Sequence, residues 1–244
     1  MILQDLLVSF MDSVVHRHRP SVVLREGTTM TAWIGIALSV AWLLMAEAAQ
    51  ASPPVGPRDA VEAAVTRLMN ITQNGRPDGA LGGERTDQIR QIVREMFDFD
   101  EISRRALFRY WETIPRDQQL EFVALFRNLL ERAYLTQVEA VRGEKIAFLG
   151  ESIEGGVATV RSKVVTRQGT EFPLDYRVHV RDGRWRIYDV MVQGVSFISS
   201  YRTQFDRVIR AESYGALRER LQQNATAEAA AARDRRPLAS AKTQ

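Results

Sequence analysis

Few side chains in this sequence can do acid–base or nucleophilic chemistry. The chain has three histidines and no cysteine. Without cysteine there is no thiol nucleophile, disulfide, thiolate zinc site or cysteine-ligated iron–sulfur cluster. His16 and His18 fall in an N-terminal leader, so His179 is alone in the body of the chain. A multi-histidine metal centre is not available, and a Ser-His-Asp triad has to be built around His179. The remaining acid–base set is Asp175, Asp189, Tyr176 and Tyr188, and strand alternation sends His179 to the face opposite Tyr176. Asp189 interrupts an apolar run, where we expect it to cap or brace backbone rather than catalyse. The acidic cluster Asp98, Asp100 and Glu101 lacks the spacing and glycine of a calcium loop. We expect no cofactor and no metal. Arg177 and Arg202 suit a different task, because a planar guanidinium matches a phosphate.

These residues need a body to hold them. Of the 244 residues 45% are hydrophobic and 26% charged, which excludes wholesale disorder and allows one large domain or two small ones. Thr31 to Ala46 is an uncharged run too short for a membrane span and suited to a signal-peptide core. Ala49-Gln50-Ala51 fits a cleavage site, so residues 1–51 read as a signal peptide with a long n-region, cut after Ala51. An uncleaved inner-membrane anchor is the alternative. Removing the leader's three basic and four acidic residues leaves 30 basic and 26 acidic, a formal charge of +4. A mild basic excess on an exported chain points to anionic surfaces or acidic partners, not to nucleic acid.

Residues 52–57 read as a linker. Apolar spacing predicts a helix over Arg58–Gln73, then a glycine-rich loop and a second helix over Glu84–Met96. Asp98 is placed to cap a helix from Phe99 to about Phe108, with Glu101 completing a capping box. Pro115 opens the longest helix, to about Val141. The pattern then changes to period two. Strands are expected over Lys145–Gly150, Val157–Arg167, Phe172–Arg181 and Arg184–Val192, with Asp182-Gly183 as a hairpin turn. In the last strand Trp185, Ile187 and Met191 are expected on one face, and Tyr188, Val190 and Val192 on the other. Ser196 starts a helix to about Arg210, and a short helix covers Tyr214–Leu221. Residues 223–244 lack periodicity and read as a disordered tail. The class is α+β: an antiparallel four-stranded meander curved against flanking helices, one domain over residues 58–222.

Phe97-Asp98-Phe99, Trp111, the stretch Gln118 to Leu130 and Tyr134 resemble the MlaC/Ttg2D family of phospholipid-binding proteins. So do Asp175 to His179, Asp182-Gly183, Trp185 to Val190, Gly194-Val195-Ser196 and Tyr201 to Phe205, in the same order and at similar spacings. Two positions depart from the pattern: Phe108 stands where the family has glycine, and Gln193 where it has glutamate. The resemblance implies a periplasmic carrier of Gram-negative bacteria, auxiliary to an ABC-type system for intermembrane lipid traffic and outer-membrane lipid asymmetry. It implies phospholipid as ligand, acyl chains in an apolar cavity, and an inner-membrane ABC/MCE-type complex and an outer-membrane lipoprotein complex as partners. Hopanoid-associated paralogues share the pattern.

For that cavity the inward aromatics and aliphatics are the candidates. The first helices offer Phe97, Phe99, Leu107, Phe122, Phe126, Leu130 and Tyr134. The sheet offers Phe172, Leu174, Tyr176, Val178, Trp185 and Ile187, and the helix after it Tyr201 and Phe205. Arg177 and Arg202 are the headgroup candidates. An envelope adaptor without cargo is the alternative, and an acid–base enzyme in a cone of sheet and helix comes behind it.

Overall fold

The computed structural model describes residues 55–73, 83–140 and 144–234. The leader with its cleavage position, and residues 235–244, lie outside the described residues. None of the described helices is long and apolar enough to cross a membrane.

Helix α1 is Pro57–Gln73 and α2 is Gly83–Met96. Each buries one stripe: Val61, Ala64, Val65 and Leu68 on α1, and Ile89, Ile92, Val93 and Met96 on α2. Helix α3, Phe99–Leu107, begins at Asp98, whose carboxylate accepts the Glu101 N–H at 3.0 Å. Only that half of the capping box forms. The Glu101 carboxylate turns outward to Arg104 and Arg105, and the Asp98 N–H reaches the Ile187 carbonyl at 2.9 Å. Phe108, expected as the last helical residue, has φ +50° and ends α3. A 3-10 turn, Phe108–Thr113, leads to α4, Arg116–Ala140.

The sheet has five antiparallel strands in chain order, not four. They are β1 Lys145–Glu154, β2 Val157–Val165, β3 Glu171–Arg181, β4 Arg184–Val192 and β5 Val195–Ser196. Gln193 and Gly194 both take positive φ, and this tight turn folds Val195 and Ser196 back onto Val192 and Met191 as the extra strand. Strand β1 passes Gly150, where the sequence reading ended it, because a bulge at Leu149 lets pairing continue to Glu154.

A second bulge corrects the expected faces of β4. Arg177 pairs with Asp189 and Val178 with Ile187, so Tyr188 is left over. The extra residue shifts the phase. Val190 and Val192, paired with Tyr176 and Leu174, join the inner side with Trp185 and Ile187, and Met191 does not.

Ser196 caps helix α5, Phe197–Ala211, by accepting the Ser199 N–H at 3.0 Å. Helix α6 spans Tyr214–Asp234. It runs past Leu221, so residues 223–234 continue a helix rather than belonging to a disordered tail. Their alanines, with Gln223, Glu228 and Arg233, are good helix formers.

The hydrophobic interior is in two parts. One joins α3 to α6 around Phe122, Phe126, Tyr201, Phe205, Leu217 and Leu221. The other joins α1 and α2 to the sheet around Val61, Ile89, Val160, Tyr176, Val178 and Ile187. Phe97 and Phe99 pack against both.

Asp98 stands at this junction with its side chain 2% exposed. Besides capping α3 it binds His179 Nε2 at 2.9 Å and the Arg181 guanidinium, both on β3. Burial works against its charged form. The hydrogen bonds from Arg181 and the Glu101 N–H, with the charges of Arg181 and His179, outweigh that and hold its pKa below the usual carboxylate range. A depressed folded pKa gives stability that is full above the unfolded value, about 3.9, and lost as pH falls through the folded one. We therefore expect Asp98→Ala to cost about 3 kcal/mol in urea unfolding at neutral pH. We expect the variant also to lose less stability than the native chain when acidified below about pH 4. Equal acid sensitivity in the two proteins would refute this role.

Candidate functional site

An apolar cavity of about 300 Å3 lies between the two cores. Its helical wall is Val65, Leu68 and Met69 of α1, Val93 and Met96 of α2, then Phe97, Phe99 and Ile102, and Leu130 and Ala133 of α4. Its sheet wall is Ile146, Val164, Phe172, Leu174, Tyr176, Val190 and Val192, closed by Phe197 and Ile198 at the start of α5. Among the described residues, three of those lining it are titratable: Glu144, Tyr176 and Asp189. Burial pushes the Tyr176 phenol up despite its bond with Ser162, so it stays neutral. Burial also raises the Glu144 carboxyl, against the pull of Arg167.

Beside this cavity is a second recess of about 310 Å3 with the opposite character. It is lined by Arg104, Arg105, Phe108, Arg177, Tyr188, Asp189, Ser196, Ile198, Ser199 and Arg202. Asp189 and Ile198 belong to both, so one thin wall separates an apolar space from a basic one. The β4 bulge makes this wall: it frees Tyr188 from the ladder and sets Tyr188 and Asp189 beside Arg177. Asp189 is 5% exposed. Its carboxylate accepts the Ile198 N–H at 3.1 Å and the Ser196 hydroxyl at 2.6 Å, and Arg177 stands 3.6 Å away. It braces the start of α5, as the sequence led us to expect. A third recess, about 660 Å3, is polar. It is lined by charged side chains, among them the ion pairs that Arg90 and Arg94 make with Glu131.

The sequence candidates divide accordingly. Phe97, Phe99, Leu130, Phe172, Leu174 and Tyr176 reach the cavity. Leu107, Phe122, Phe126, Tyr201 and Phe205 do not, because they close the helical core on one another; Phe126 alone stacks edge-on against both Tyr201 and Phe205. Val178 and Ile187 are fully buried under α1 and α2, and Trp185 gives its indole N–H to the Val55 carbonyl at 3.1 Å. The Tyr134 side chain lies outside the described residues. Both headgroup candidates, Arg177 and Arg202, line the basic recess. Sequence reasoning missed Arg104, Arg105, Phe108 and Tyr188 there, and the contributions of α1 and α2 to the cavity. The amphipathic stripes of those helices were visible, but periodicity does not say whether a stripe meets a core or a void. Of the acid–base set, Tyr176 and Asp189 both line the cavity and Tyr188 and Asp189 both line the basic recess, whereas His179 bonds Asp98 and stands edge-on to Tyr188.

The family model described as MlaC protein matches residues 62–223. The chain is 24% identical over 173 residues to the toluene tolerance protein ttg2D of Pseudomonas putida, covering 70% of this chain and 78% of that protein. Among solved structures it is similar to the phospholipid-binding protein from Ralstonia solanacearum, determined in complex with a phospholipid. The TM-score is 0.62 and the identity 26%, over 69% of this chain and 96% of that one.

The wall between the two recesses depends on one carboxylate. Asp189→Ala strands a buried N–H and a hydroxyl, and we expect it to cost about 3 kcal/mol in urea unfolding. Asp189→Asn keeps an acceptor and is expected to recover part of the loss. Equal losses in the two variants would show that the hydrogen bonds are not what matters.

Proposed function

Since the chain belongs to the MlaC protein family, we propose that it is a non-catalytic phospholipid carrier, with acyl chains in the apolar cavity and the headgroup phosphate at the Arg-lined recess. The observation that carries this reading is the shared wall: Asp189 and Ile198 face an apolar space on one side and four guanidiniums on the other. An amphiphile with two such ends fits across it. The likeness to a protein solved with bound phospholipid supports the same ligand.

The energetics explain why the interior is hollow. Exposing a methylene to water costs about 0.8 kcal/mol, and a two-chain lipid has roughly 30 of them, on the order of 20 kcal/mol in all. A soluble carrier has to hide most of both chains. The cavity, at about 300 Å3, is at the lower end of the range for ligand pockets. Taking up two chains requires the helical core to part further from the sheet along the line between the two cores. Arg177 and Arg202 then meet the phosphate, each side chain standing in water well enough to let it go again. In this reading the mature chain, cut after Ala51, works in the periplasm and passes lipid between an inner-membrane ABC/MCE-type complex and an outer-membrane lipoprotein complex.

Native mass spectrometry of the gently purified protein, followed by lipid extraction, tests the carrier directly. We expect glycerophospholipid at fixed stoichiometry, and recovery of lipid-free protein alone overturns the reading. Filling the cavity tests where the chains go. Ala133→Trp puts an indole into the void, and we expect lipid loading to fall at least about fivefold while the melting temperature holds or rises, as cavity filling usually gives. Undiminished loading would place the acyl chains elsewhere.

A further inference from the structure

We propose that the basic recess selects phospholipids whose headgroup is net anionic, of the phosphatidylglycerol kind, over zwitterionic choline or ethanolamine headgroups. This rests on the carrier reading above and says which cargo the same site prefers.

The recess sets four guanidiniums against two carboxylates, Asp189 and Glu101, so cations are in excess. Arg104, Arg105, Arg177 and Arg202 line it. Asp189 also lines it and stands 3.6 Å from Arg177, while its oxygens accept from the Ile198 N–H and the Ser196 hydroxyl inside the protein. Glu101, in the first turn of α3, has a side chain 14% exposed and accepts from Arg104 at 2.7 and 2.8 Å and from Arg105 at 2.7 Å. Arg202 has no carboxylate partner among the described residues; its guanidinium reaches only the Ser199 hydroxyl, at 3.4 Å. A phosphate entering here meets donors. The ammonium of a zwitterionic headgroup meets guanidiniums.

The aromatic rings do not rescue the ammonium. A quaternary ammonium is commonly held on ring faces, and two rings, Tyr188 and Phe108, line the recess. Each already carries one of the protein's own cations. The Arg105 guanidinium lies 4.2 Å from the centre of the Tyr188 ring, and that of Arg202 lies 5.3 Å from the Phe108 ring. Phe108 keeps this place at a cost. Its φ of +50° suits glycine, and its ring is exposed at the rim. In return the ring steadies Arg202 over the recess, which makes Phe108 a positioning residue for the headgroup.

The charges stand half in water, so the discrimination is modest, about fivefold. To measure it, lipid-stripped protein is loaded from vesicles holding phosphatidylglycerol and phosphatidylcholine in equal amounts with identical acyl chains, and the bound lipids are counted by mass spectrometry. The native chain is expected to favour phosphatidylglycerol about fivefold. The Arg177→Gln, Arg202→Gln double variant is expected near parity, with the loss falling on phosphatidylglycerol, and Phe108→Gly in between. Equal loading of both lipids by the native chain overturns the selectivity and leaves the carrier reading intact. Loading of neither overturns both. The same phosphate chemistry is present in soluble form in glycerophosphoglycerol, which has no acyl chains. It is expected to leave the melting temperature of the stripped protein unchanged, and protection equal to that given by the lipid would mark a soluble-phosphate site and overturn the proposal.

Discussion

An apolar space inside a protein is unstable unless its walls are held apart, because the surrounding side chains gain by collapsing into it. The divided interior of this fold is an answer to that constraint. One core belongs to α3 to α6 and the other to α1, α2 and the sheet, and neither can fill the gap without losing its own packing. The gap is fastened at its edges by the three carboxylates buried among the described residues. Asp98 ties the start of α3 to His179 and Arg181 on β3. Asp189 on β4 ties the start of α5. Glu131 on α4 takes a two-pronged bond from Arg94 on α2, at 2.9 and 3.3 Å. Each joins elements on different sides of the line between the cores, or the sheet to the helix that closes the cavity. Polar fasteners suit this place better than apolar contacts: directional bonds fix separation as well as contact.

The position of the fasteners also explains how two unlike recesses share a wall. A regular β4 would alternate faces from Trp185 to Val192, and Asp189 would then sit at an unbroken ladder position. The unpaired Tyr188 gives two residues in succession, Tyr188 and Asp189, to the basic side, and returns Val190 to the apolar side. Arg177, opposite Asp189, is carried to the same place by register alone. One inserted residue thus brings together the carboxylate that holds α5, the ring that carries Arg105 and the arginine nearest the wall. At the far rim, the backbone of Phe108 is held in the left-handed region by the end of α3, where its N–H reaches the Arg104 carbonyl.

What the sequence disclosed follows from what periodicity encodes. The helices, the meander, the cap at Asp98 and the cap at Ser196 were legible because each is a local pattern. The fifth strand was not, since two residues after a Gln-Gly turn have no period to read. The β4 faces went wrong at Tyr188 because a bulge is a change of phase that only the partner strand reveals. The cavity lining was half legible. Phe172, Leu174 and Tyr176 were identifiable as one face of a strand, and that face does line the void. Phe122, Phe126 and Phe205 carry the same signal of large inward side chains, yet pack on one another, Phe205 edge-on to both other rings, and do not reach the void. A sequence reports which residues turn inward. Whether the inside is filled depends on side chains tens of residues away. Arg177 and Arg202 were found because their chemistry, not their spacing, singled them out; Arg104 and Arg105 on α3 become recess residues only through Tyr188 and Asp189 of β4 beside them.

The balance of forces in a lipid carrier differs from that in an enzyme or a receptor. The hydrophobic gain from hiding roughly 30 methylenes is large, on the order of 20 kcal/mol, but it is already present in the bilayer the lipid leaves and in the one it enters. Transfer therefore nearly cancels it. The residual is set by smaller quantities: how closely the cavity wall fits the chains, what the two cores lose by parting, and how the headgroup fares against the mouth. The first two are apolar and indifferent to lipid class, because acyl chains are shared between classes. The third is the only one that reads the headgroup, and in the proposed binding mode it is concentrated in a recess whose guanidiniums are partly exposed. Partial exposure keeps each contact weak, which a carrier needs in order to release its cargo. Several such contacts around one phosphate are still enough to rank one headgroup above another. A dry, fully buried arginine cluster would bind harder and deliver nothing.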